Sequence, residues 1–263
     1  MALLDRIEKA KGVYARNRRL ALIRSMLNFA LDRELVDANV AARIKLIEEP
    51  DRDRVLSDPE LAEIWTAAGN LADPFRRYTR MLILTGQRRR EVSDMGYAEV
   101  DEAAKLWTVP AVRMKARELH EVPLPALAMT LLDGTADDGE KMPRGTFVFS
   151  TGRRGDRPIS GFNKLKLQLD RHIQAARHAR DPKAQPMAEW RLHDIRRTVR
   201  SGLARLRVQP HIAERVLAHV PGGVEAVYDR HQYRDGKRDA LEAWAQHIER
   251  ILNPQPNVVE LRK

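Results

Sequence analysis

The chain has 263 residues, of which 43% are hydrophobic and 32% are charged, so it can bury the core of one large domain with a small appendage. Lysine and arginine number 47 against 37 acidic residues, and the formal net charge of +10 favours a polyanionic partner such as nucleic acid. The sequence has no cysteine and no apolar run of membrane-spanning length, which excludes disulfides, thiolate metal sites, cysteine nucleophiles and membrane helices.

The first fifty residues are predicted to be helical. The opening MALLDRIEKAKG carries charges where a signal peptide needs an apolar core, so a cytoplasmic protein is expected. VYARNRRLALIRSMLNFALDREL then predicts an amphipathic helix, and NVAARIKLIEE at 39–49 predicts a short second one. The apolar stripe of the first helix comprises Leu20, Leu22, Ile23, Met26, Leu27 and Ala30, and the arginines largely off it are Arg16, Arg18, Arg19 and Arg24.

A polar linker at 51–56 is predicted to precede two further helices. SDPE at Ser57–Glu60 is typical of a capping box, and it predicts a helix that continues through LAEIWTAAGN. DPFRRYTRMLILTG predicts the next helix, with Asp73 as its cap and Gly86 as its end.

Beyond Gly86 the pattern changes to short β-prone segments. KLWTVP and ELHEVPL predict a hairpin around the basic segment AVRMKAR, and TFVFS predicts a third strand. From Gly161 onward helix returns in FNKLKLQLDRHIQAARHA, HDIRRTVRSGLARL, PHIAERVLAHV, GVEAVYDRHQ and DALEAWAQHIERIL. The sequence therefore predicts a mainly α protein with a small antiparallel β-sheet: a helical piece at 1–50, a catalytic-size domain at 57–252, and a mobile tail or docking segment at 253–263.

Several residues match what cleavage of a phosphodiester without a metal requires. Paired arginines supply fixed cations for the non-bridging oxygens, and their planar forks bind phosphate bidentately. His193 and Arg196 are three residues apart on a predicted helix and share a face, while Arg88 lies at a helix start beyond Gly86. A tyrosine nucleophile needs help to ionise, and the departing hydroxyl needs a proton donor such as lysine or histidine.

The order of five motifs resembles one family. TGQRRREV, RMKARELHEVPL, HDIRR, VLAH and a tyrosine nine residues further on resemble the tyrosine recombinases, the integrase class of phages and mobile islands. That family has a G-x-R-x-x-E helix start, a hairpin lysine, an H-x-x-R helix, an L-G-H end and a nucleophilic tyrosine. The resemblance covers residues 85–228, and residues 1–50 look like part of the helical core-binding domain that precedes the catalytic domain in the family.

The resemblance implies a role for each matching residue. Arg88 and Arg196 would clamp the scissile phosphate, and His193 and His219 would hydrogen-bond its oxygens, with His193 also helping to take the tyrosine proton. Glu91 would orient residues of the site. Ala218 replaces the usual glycine before the second histidine, a change tolerated unless the backbone there needs a positive φ.

The nucleophile and the proton donor follow from the same resemblance. Tyr228 would attack the phosphorus and form a 3′-phosphotyrosyl bond, and Lys115 would protonate the leaving 5′-oxygen. Tyr233 is the competing tyrosine, but Tyr228 has the family spacing. Because each step exchanges one phosphoester for another, neither ATP, a cofactor nor a metal is expected.

Double-stranded DNA is the expected partner, and the protein is expected to associate with the nucleoid in the cytoplasm. The family implies a tetramer on DNA, joined through the C-terminal helix, and accessory DNA-bending or directionality factors. The stripe of Leu241, Trp244 and Ile248 on that helix is either core or such a docking face. The positions expected to contact DNA are Arg16, Arg18, Arg19, Arg24, Arg89, Arg90, positions 152 and 153 of the loop TGRRGDRP, Arg197 and Arg200.

Three alternatives share some of these features. A DNA-binding protein with an inactive recombinase-like site would have the same charge and fold. A type IB topoisomerase would use the same chemistry to relax DNA without sequence preference. A metal-dependent nuclease would need paired carboxylates, for which the sequence shows no pattern.

Overall fold

The structure is a computed structural model that describes residues 2–49, 52–114, 116–134, 144–152, 155–219 and 233–254. The chain forms two compact units, residues 1–53 and residues 54–263. Among the described helices, none combines the length and the apolar character needed to cross a membrane.

The amino-terminal unit contains one long helix, α1 (Ala2–Asp32), which is interrupted at Gly12. At that residue φ is 81° and ψ is 172°, a conformation that glycine adopts without the steric cost of a Cβ atom. Leu4 and Leu20 of α1 form a small buried cluster with Ala41. The predicted second helix at 39–49 is wrong, because residues 40–43 form only a turn and residues 44–49 have no regular structure.

Side chains of α1 explain why residues 41–49 do not form a helix. The Asn17 amide donates to the carbonyl of Ile47 at 2.7 Å and accepts from its N–H at 3.2 Å. Arg24 donates to the carbonyls of Ala41 and Ala42 at 3.1 and 3.2 Å. Since these backbone groups are satisfied by side chains, the segment does not need a helical hydrogen-bond ladder.

The predicted apolar stripe of α1 is only partly buried. Leu20 is fully buried, but Leu22 and Met26 are exposed. Arg16, expected off the stripe, is buried instead, and its guanidinium donates to the carbonyl of Lys45 at 3.3 Å.

The second unit contains eight described helices. They are α2 (Asp58–Gly69), α3 (Phe75–Thr85), α4 (Arg89–Ser93), α5 (Ala126–Met129), α6 (Phe162–Arg180), α7 (Leu192–Arg205), α8 (Pro210–Val216) and α9 (Arg234–Leu252). The predicted capping box is confirmed: the Ser57 side chain accepts from the Glu60 N–H, and the Glu60 carboxylate accepts from the Ser57 N–H. Gly86, with φ 64°, ends α3 as predicted. Asp73 is not the cap of α3; its carboxylate instead accepts from Arg77 at 2.7 Å.

Three short antiparallel strands form the sheet in the order β1 (Val100–Asp101), β2 (Leu106–Val109) and β3 (His120–Pro123). The predicted hairpin is confirmed, with Trp107 opposite Val122. The predicted strand TFVFS is wrong, because this segment makes only isolated bridges, Gly96 to Phe147 and Ser150 to Pro158. The third strand is β1, which is too short to show a periodicity in the sequence.

Helix α9 is buried in the core of its own unit. Trp244 is fully buried and its indole N–H donates to the carbonyl of Ile83 in α3 at 2.8 Å. Leu241 and Ile248 are each 1% exposed, so the stripe belongs to the core. Of the two interpretations of this stripe, the structure supports the core. Lys237 of the same helix is buried and donates to the carbonyl of Glu121 in β3 at 2.6 Å.

Gly202 of α7 allows Trp244 to pack closely, since a Cβ atom there would lie 2.1 Å from Cζ3 of the indole. Gly202→Ala gains about 1 kcal/mol of helix propensity but overpacks the core, which costs about 1–3 kcal/mol. The hydrogen bond to Ile83 holds the indole in place, so the overpacking cost is expected near its upper end. We expect a net loss of up to about 2 kcal/mol in the free energy of unfolding, measured by urea denaturation. Ser201→Ala at the exposed neighbouring position is the control; equal stability of both variants would contradict this packing.

Candidate active site

Arg88 is held at the start of α4 by Glu91. The turn after α3 ends at Gly86 and brings Arg88 to the N-cap position, where its backbone N–H donates to the Glu91 carboxylate at 2.9 Å. The Arg88 guanidinium donates to the other oxygen of the same carboxylate at 2.8 Å. Glu91 is 5% exposed while the Arg88 side chain is 31% exposed, so a buried carboxylate orients a cation that still reaches solvent.

Arg196 of α7 is buried and lies between two backbone carbonyls. Its guanidinium donates to Gly86 at 3.0 Å and to Leu217, which follows α8. Burial and the neighbouring Arg88 charge lower the pKa of Arg196 to about 10, so the side chain is still a cation at neutral pH. These two bonds tie α7 to the turn before Arg88 and to the turn before His219.

His193 lies one turn before Arg196 on α7 and is exposed. Partial burial and the charges of Arg196 and Arg197 lower the pKa of its imidazole, so a neutral ring is favoured at physiological pH. A neutral imidazole is the form that can accept a proton.

The sequence predicted that His219 lies in a helix, and this is wrong: His219 follows the helix. Helix α8 ends at Val216, and the next residues turn so that the His219 N–H donates to the carbonyl of Glu214 at 2.9 Å. Ala218 has φ 49°, in the left-handed region that glycine occupies without strain. The position therefore does require the positive φ that makes alanine an unfavourable replacement.

Arg88, His193, Arg196 and His219 are brought together from three separate segments of the chain. The Arg88 charge lowers the pKa of each of the other three, and the Arg196 charge lowers that of both histidines. Two cations and two imidazoles thus share one electrostatic neighbourhood, an arrangement that can bind the oxygens of a phosphodiester. Lys115 and Tyr228 lie outside the described residues.

Two buried polar residues that the sequence did not reveal hold this arrangement together. The Gln87 amide donates to the carbonyls of Thr85 and Val216 at 3.0 and 2.8 Å, joining the ends of α3 and α8. Its oxygen contacts Nε2 of His120 in β3 at 3.2 Å. Burial, and then the charges of Lys237 and Arg196, lower the pKa of His120 to about 3, so this histidine is neutral and structural. Only the position of Gln87 directly before Arg88 could have indicated its role.

The positions expected to contact DNA divide into two groups. Arg18, Arg19, Arg89 and Arg90 are exposed, and Arg197 is half-buried near Asp194. Arg16 and Arg24 instead bind backbone carbonyls inside the amino-terminal unit, and Arg200 binds Glu214 at 2.7 Å. Position 152 is Gly152, which has no charged side chain, and Arg153 lies outside the described residues.

An open groove adjoins the candidate active site. It is lined by basic and aromatic residues: Arg88, Arg89, Arg90, Phe162, Lys166, Trp190, Arg191 and His193. Arg89 stacks on the ring of Phe162 at 4.6 Å, and Lys166 on that of Trp190 at 4.3 Å. Stacking on the rings holds these flexible cationic side chains in place. The basic side chains of the groove therefore form a positively charged surface that extends to His193.

The competing tyrosine, Tyr233, is a packing residue. Its ring centroid is 5.4 Å from that of His211 and 5.3 Å from the Arg215 guanidinium carbon. It lies directly before α9 with φ 47°.

The fold matches that of tyrosine recombinase catalytic domains. Lambda integrase (residues 75–356), in a dimer bound to a COC′ core site, superposes with a TM-score of 0.60 at 18% identity over 84% of this chain and 77% of that one. A lambda integrase tetramer bound to a Holliday junction gives a TM-score of 0.61 at 16% identity, over 87% and 64% of the two chains.

The family follows from the sequence comparisons. The profile of the phage integrase family matches residues 54–234, and the chain belongs to that family. The prophage integrase IntZ of Escherichia coli strain K12 is 29% identical over 268 residues, covering 99% of this chain and 61% of that protein. The chain thus spans less than two thirds of the length of the curated relatives it matches.

Replacing Ala218 by glycine should stabilise the protein. An L-residue in the left-handed region costs roughly 1–2 kcal/mol, while glycine adds about 0.4–1 kcal/mol of unfolded-state entropy. We therefore expect Ala218→Gly to raise the free energy of unfolding by about 0.5–1 kcal/mol in urea denaturation. Ala213→Gly in α8, where the backbone is helical, should lower it by about 1 kcal/mol. A destabilised Ala218→Gly variant would argue against strain at this turn.

The neutral, buried His120 should make stability depend on pH. Its pKa is about 3 in the folded protein and about 6.5 when unfolded, so the unfolded state binds the extra proton between these values. The contribution of His120 to the free energy of unfolding is fully present above pH 6.5. It decreases as the pH falls toward 3, by up to about 1.4 kcal/mol per pH unit. His120→Gln should be less stable at pH 7 but show a flatter decline between pH 6.5 and 5 in urea denaturation. Identical slopes would contradict the buried neutral state.

Proposed function

We propose that this chain is a site-specific DNA recombinase of the integrase type, which cuts and rejoins double-stranded DNA through a 3′-phosphotyrosine intermediate. The observation that supports the proposal is the convergence of Arg88, His193, Arg196 and His219 from separate segments into one electrostatic cluster. Arg196 is held by two backbone carbonyls and, among the residues that the structure describes, has no carboxylate in direct contact, so its charge is available to a phosphate beside Arg88 and the two histidines.

In the proposed reaction, the Arg88 and Arg196 guanidinium groups bind the non-bridging oxygens of the scissile phosphate. Glu91 fixes Arg88 through both of its carboxylate oxygens, so Arg88 meets the phosphate already oriented. The negative charge that accumulates on the phosphoryl oxygens in the transition state is stabilised by these preorganised cations. His219 adds a hydrogen bond to the same oxygens.

The covalent step balances without an external energy source. The Tyr228 oxygen attacks the phosphorus and its proton passes to His193, while the bond to the 5′-oxygen breaks and Lys115 supplies the proton to that oxygen. A 5′-hydroxyl and a 3′-phosphotyrosine result. Attack by a 5′-hydroxyl on the phosphotyrosine reverses every transfer, and exchange of partners before that attack gives recombination. The steps require no ATP, cofactor or metal.

Double-stranded DNA is the proposed substrate, with a homotetramer as the assembly on it, in the cytoplasm at the nucleoid. The exposed arginines Arg18, Arg19, Arg89 and Arg90 and the half-buried Arg197 would contact phosphates. The groove at Phe162 and Trp190 would follow the DNA backbone. The tetramer is proposed from the lambda integrase assembly on a Holliday junction. Integration or excision of a phage or mobile element, aided by accessory DNA-bending or directionality factors, is the proposed biological outcome.

The test is covalent capture on DNA in the presence of EDTA. The protein is incubated with nicked duplexes taken from the DNA that flanks its gene, and with supercoiled plasmid, and adducts are detected on denaturing gels. We expect an adduct that survives the chelator, that is absent in Tyr228→Phe and that persists in Tyr233→Phe, the matched control.

Other results would identify the alternatives. Loss of cleavage in EDTA would indicate a metal-dependent nuclease, and an adduct that persists in Tyr228→Phe would mean a different nucleophile. Relaxation of plasmid without sequence preference would favour topoisomerase-like activity. Binding of the flanking DNA without an adduct would favour a DNA-binding protein with an inactive site.

A further inference from the structure

We propose that Glu214 is a positioning residue that holds the His219 ring through Nδ1 and favours its imidazolium form, whose Nε2–H donates to the scissile phosphate. Glu214 belongs to α8 and lies five residues before His219. The inference rests on the proposed function, because the acceptor of that hydrogen bond is the phosphodiester.

The contact between the two side chains is short and is fixed from both sides. The Glu214 Oε2 atom lies 2.6 Å from Nδ1 of His219, and its Oε1 atom accepts from Nε of Arg200 at 2.7 Å. Arg200 lies on α7, one turn after Arg196. The row Arg200–Glu214–His219 therefore connects the helix that carries Arg196 to the turn that carries His219. The His219 N–H also bonds to the Glu214 carbonyl, so the same residue fixes both the backbone and the ring.

The charge of Glu214 determines which nitrogen of His219 carries a proton. Although partial burial has the opposite effect, the bonds from Arg200 and His219 lower the pKa of the Glu214 carboxyl, so it is ionised at neutral pH. An ionised carboxylate only accepts hydrogen bonds, so Nδ1 of His219 must be the donor. Nε2, on the opposite edge of the ring, then carries a proton only when the ring is an imidazolium.

The other charges around His219 determine how strongly the pKa of its imidazole depends on Glu214. Partial burial lowers the pKa of His219, and so do the charges of Arg196 and Arg88; the bond to Glu214 raises it but does not reverse the net lowering, so the ring without phosphate is mostly neutral at physiological pH. The imidazolium therefore depends on two anions, the Glu214 carboxylate and a phosphate bound at Nε2, since each favours the charged ring. The titratable and charged groups facing the ring are Arg88 before α4, Arg196 and Arg200 on α7, Glu214 and Arg215 on α8, Glu118 and His120 of the hairpin, and Lys237 on α9. Most are cations, and Glu214 is the carboxylate in direct contact with the ring.

A pH dependence follows from this arrangement. His219 donates to phosphate as the imidazolium, so its contribution is present at low pH and is lost as pH rises through its pKa. Removing Glu214 lowers that pKa, so the loss starts at a lower pH. The ratio of the variant rate to the wild-type rate is then near one in acid and falls as pH increases.

The experiment compares Glu214→Ala, Glu214→Asp and Glu249→Ala with the wild type. Glu214→Ala removes the carboxylate with a good helix former, and Glu214→Asp retains the charge one methylene shorter. Glu249→Ala removes the same charge at an exposed position of α9 and serves as the control. Two quantities are measured between pH 5.5 and 9: the titration of the His219 ring by ¹⁵N NMR in the full chain, and the rate of adduct formation on nicked DNA.

We expect the His219 titration to move to lower pH in Glu214→Ala and to be partly restored in Glu214→Asp. Adduct formation by Glu214→Ala should be about 10- to 100-fold slower at pH 8, by analogy with carboxylates that orient metal-bound histidines, and much closer to wild type at pH 6. Glu249→Ala should match the wild type throughout. An unchanged His219 titration, or a rate loss that is the same at every pH, would overturn the proposal.

Failure of the proposed function has a different signature. In that case the wild type forms no adduct at any pH, while the His219 titration still differs between wild type and Glu214→Ala. The NMR measurement alone then shows that Glu214 controls the ring and that the phosphodiester is not its target.

Discussion

The placement of the Arg196 guanidinium between two backbone carbonyls is the interaction on which the rest of the candidate site depends. The carbonyls belong to Gly86 and Leu217, each two residues before a site residue, Arg88 and His219. A single buried side chain therefore fixes three segments that are distant in sequence. The rigid fork of arginine is suited to this because its donors point in fixed directions, whereas a lysine would offer one flexible point charge. The bonds that hold the domain together thus also set the spacing of its functional groups.

The close approach of α7 to the end of α3 makes these bonds possible. A Cβ atom at Gly86 would lie 2.8 Å from the Val199 side chain, so only glycine lets the helix come close enough for Arg196 to reach the carbonyl. Gln87 then joins α3, α8 and β3 with one amide, and Lys237 ties α9 to β3. Buried polar groups satisfied in this way specify one arrangement of the elements, since any other packing would leave them without partners.

Sequence patterns predicted the parts of the fold that depend on local order. Helices α6, α7 and α9 and the β2–β3 hairpin were predicted because their apolar residues recur regularly. The segment at 39–49 was predicted wrongly because its structure depends on Asn17 and Arg24, which are far away in sequence. Gln87 and His120 were missed for a related reason: a polar residue in a buried network has no periodic signature. Arg88, His193, Arg196 and His219 were selected by the order of the motifs, and only the structure shows how closely they associate.

The carbonyl partners of Arg196 also affect how the site responds to ionic strength. Carbonyl dipoles orient a guanidinium but, unlike a carboxylate in direct contact, do not cancel its charge, so Arg196 remains a net cation. Mobile ions screen surface charges over about 8 Å at physiological salt, but they screen buried charges much less. Exposed arginines such as Arg89 and Arg90 therefore lose their attraction for a polyanion as salt increases, while Arg196 retains most of its own. For a phosphodiester bound as proposed, salt would thus weaken the approach of the long anion more than the contact between Arg196 and a single phosphate.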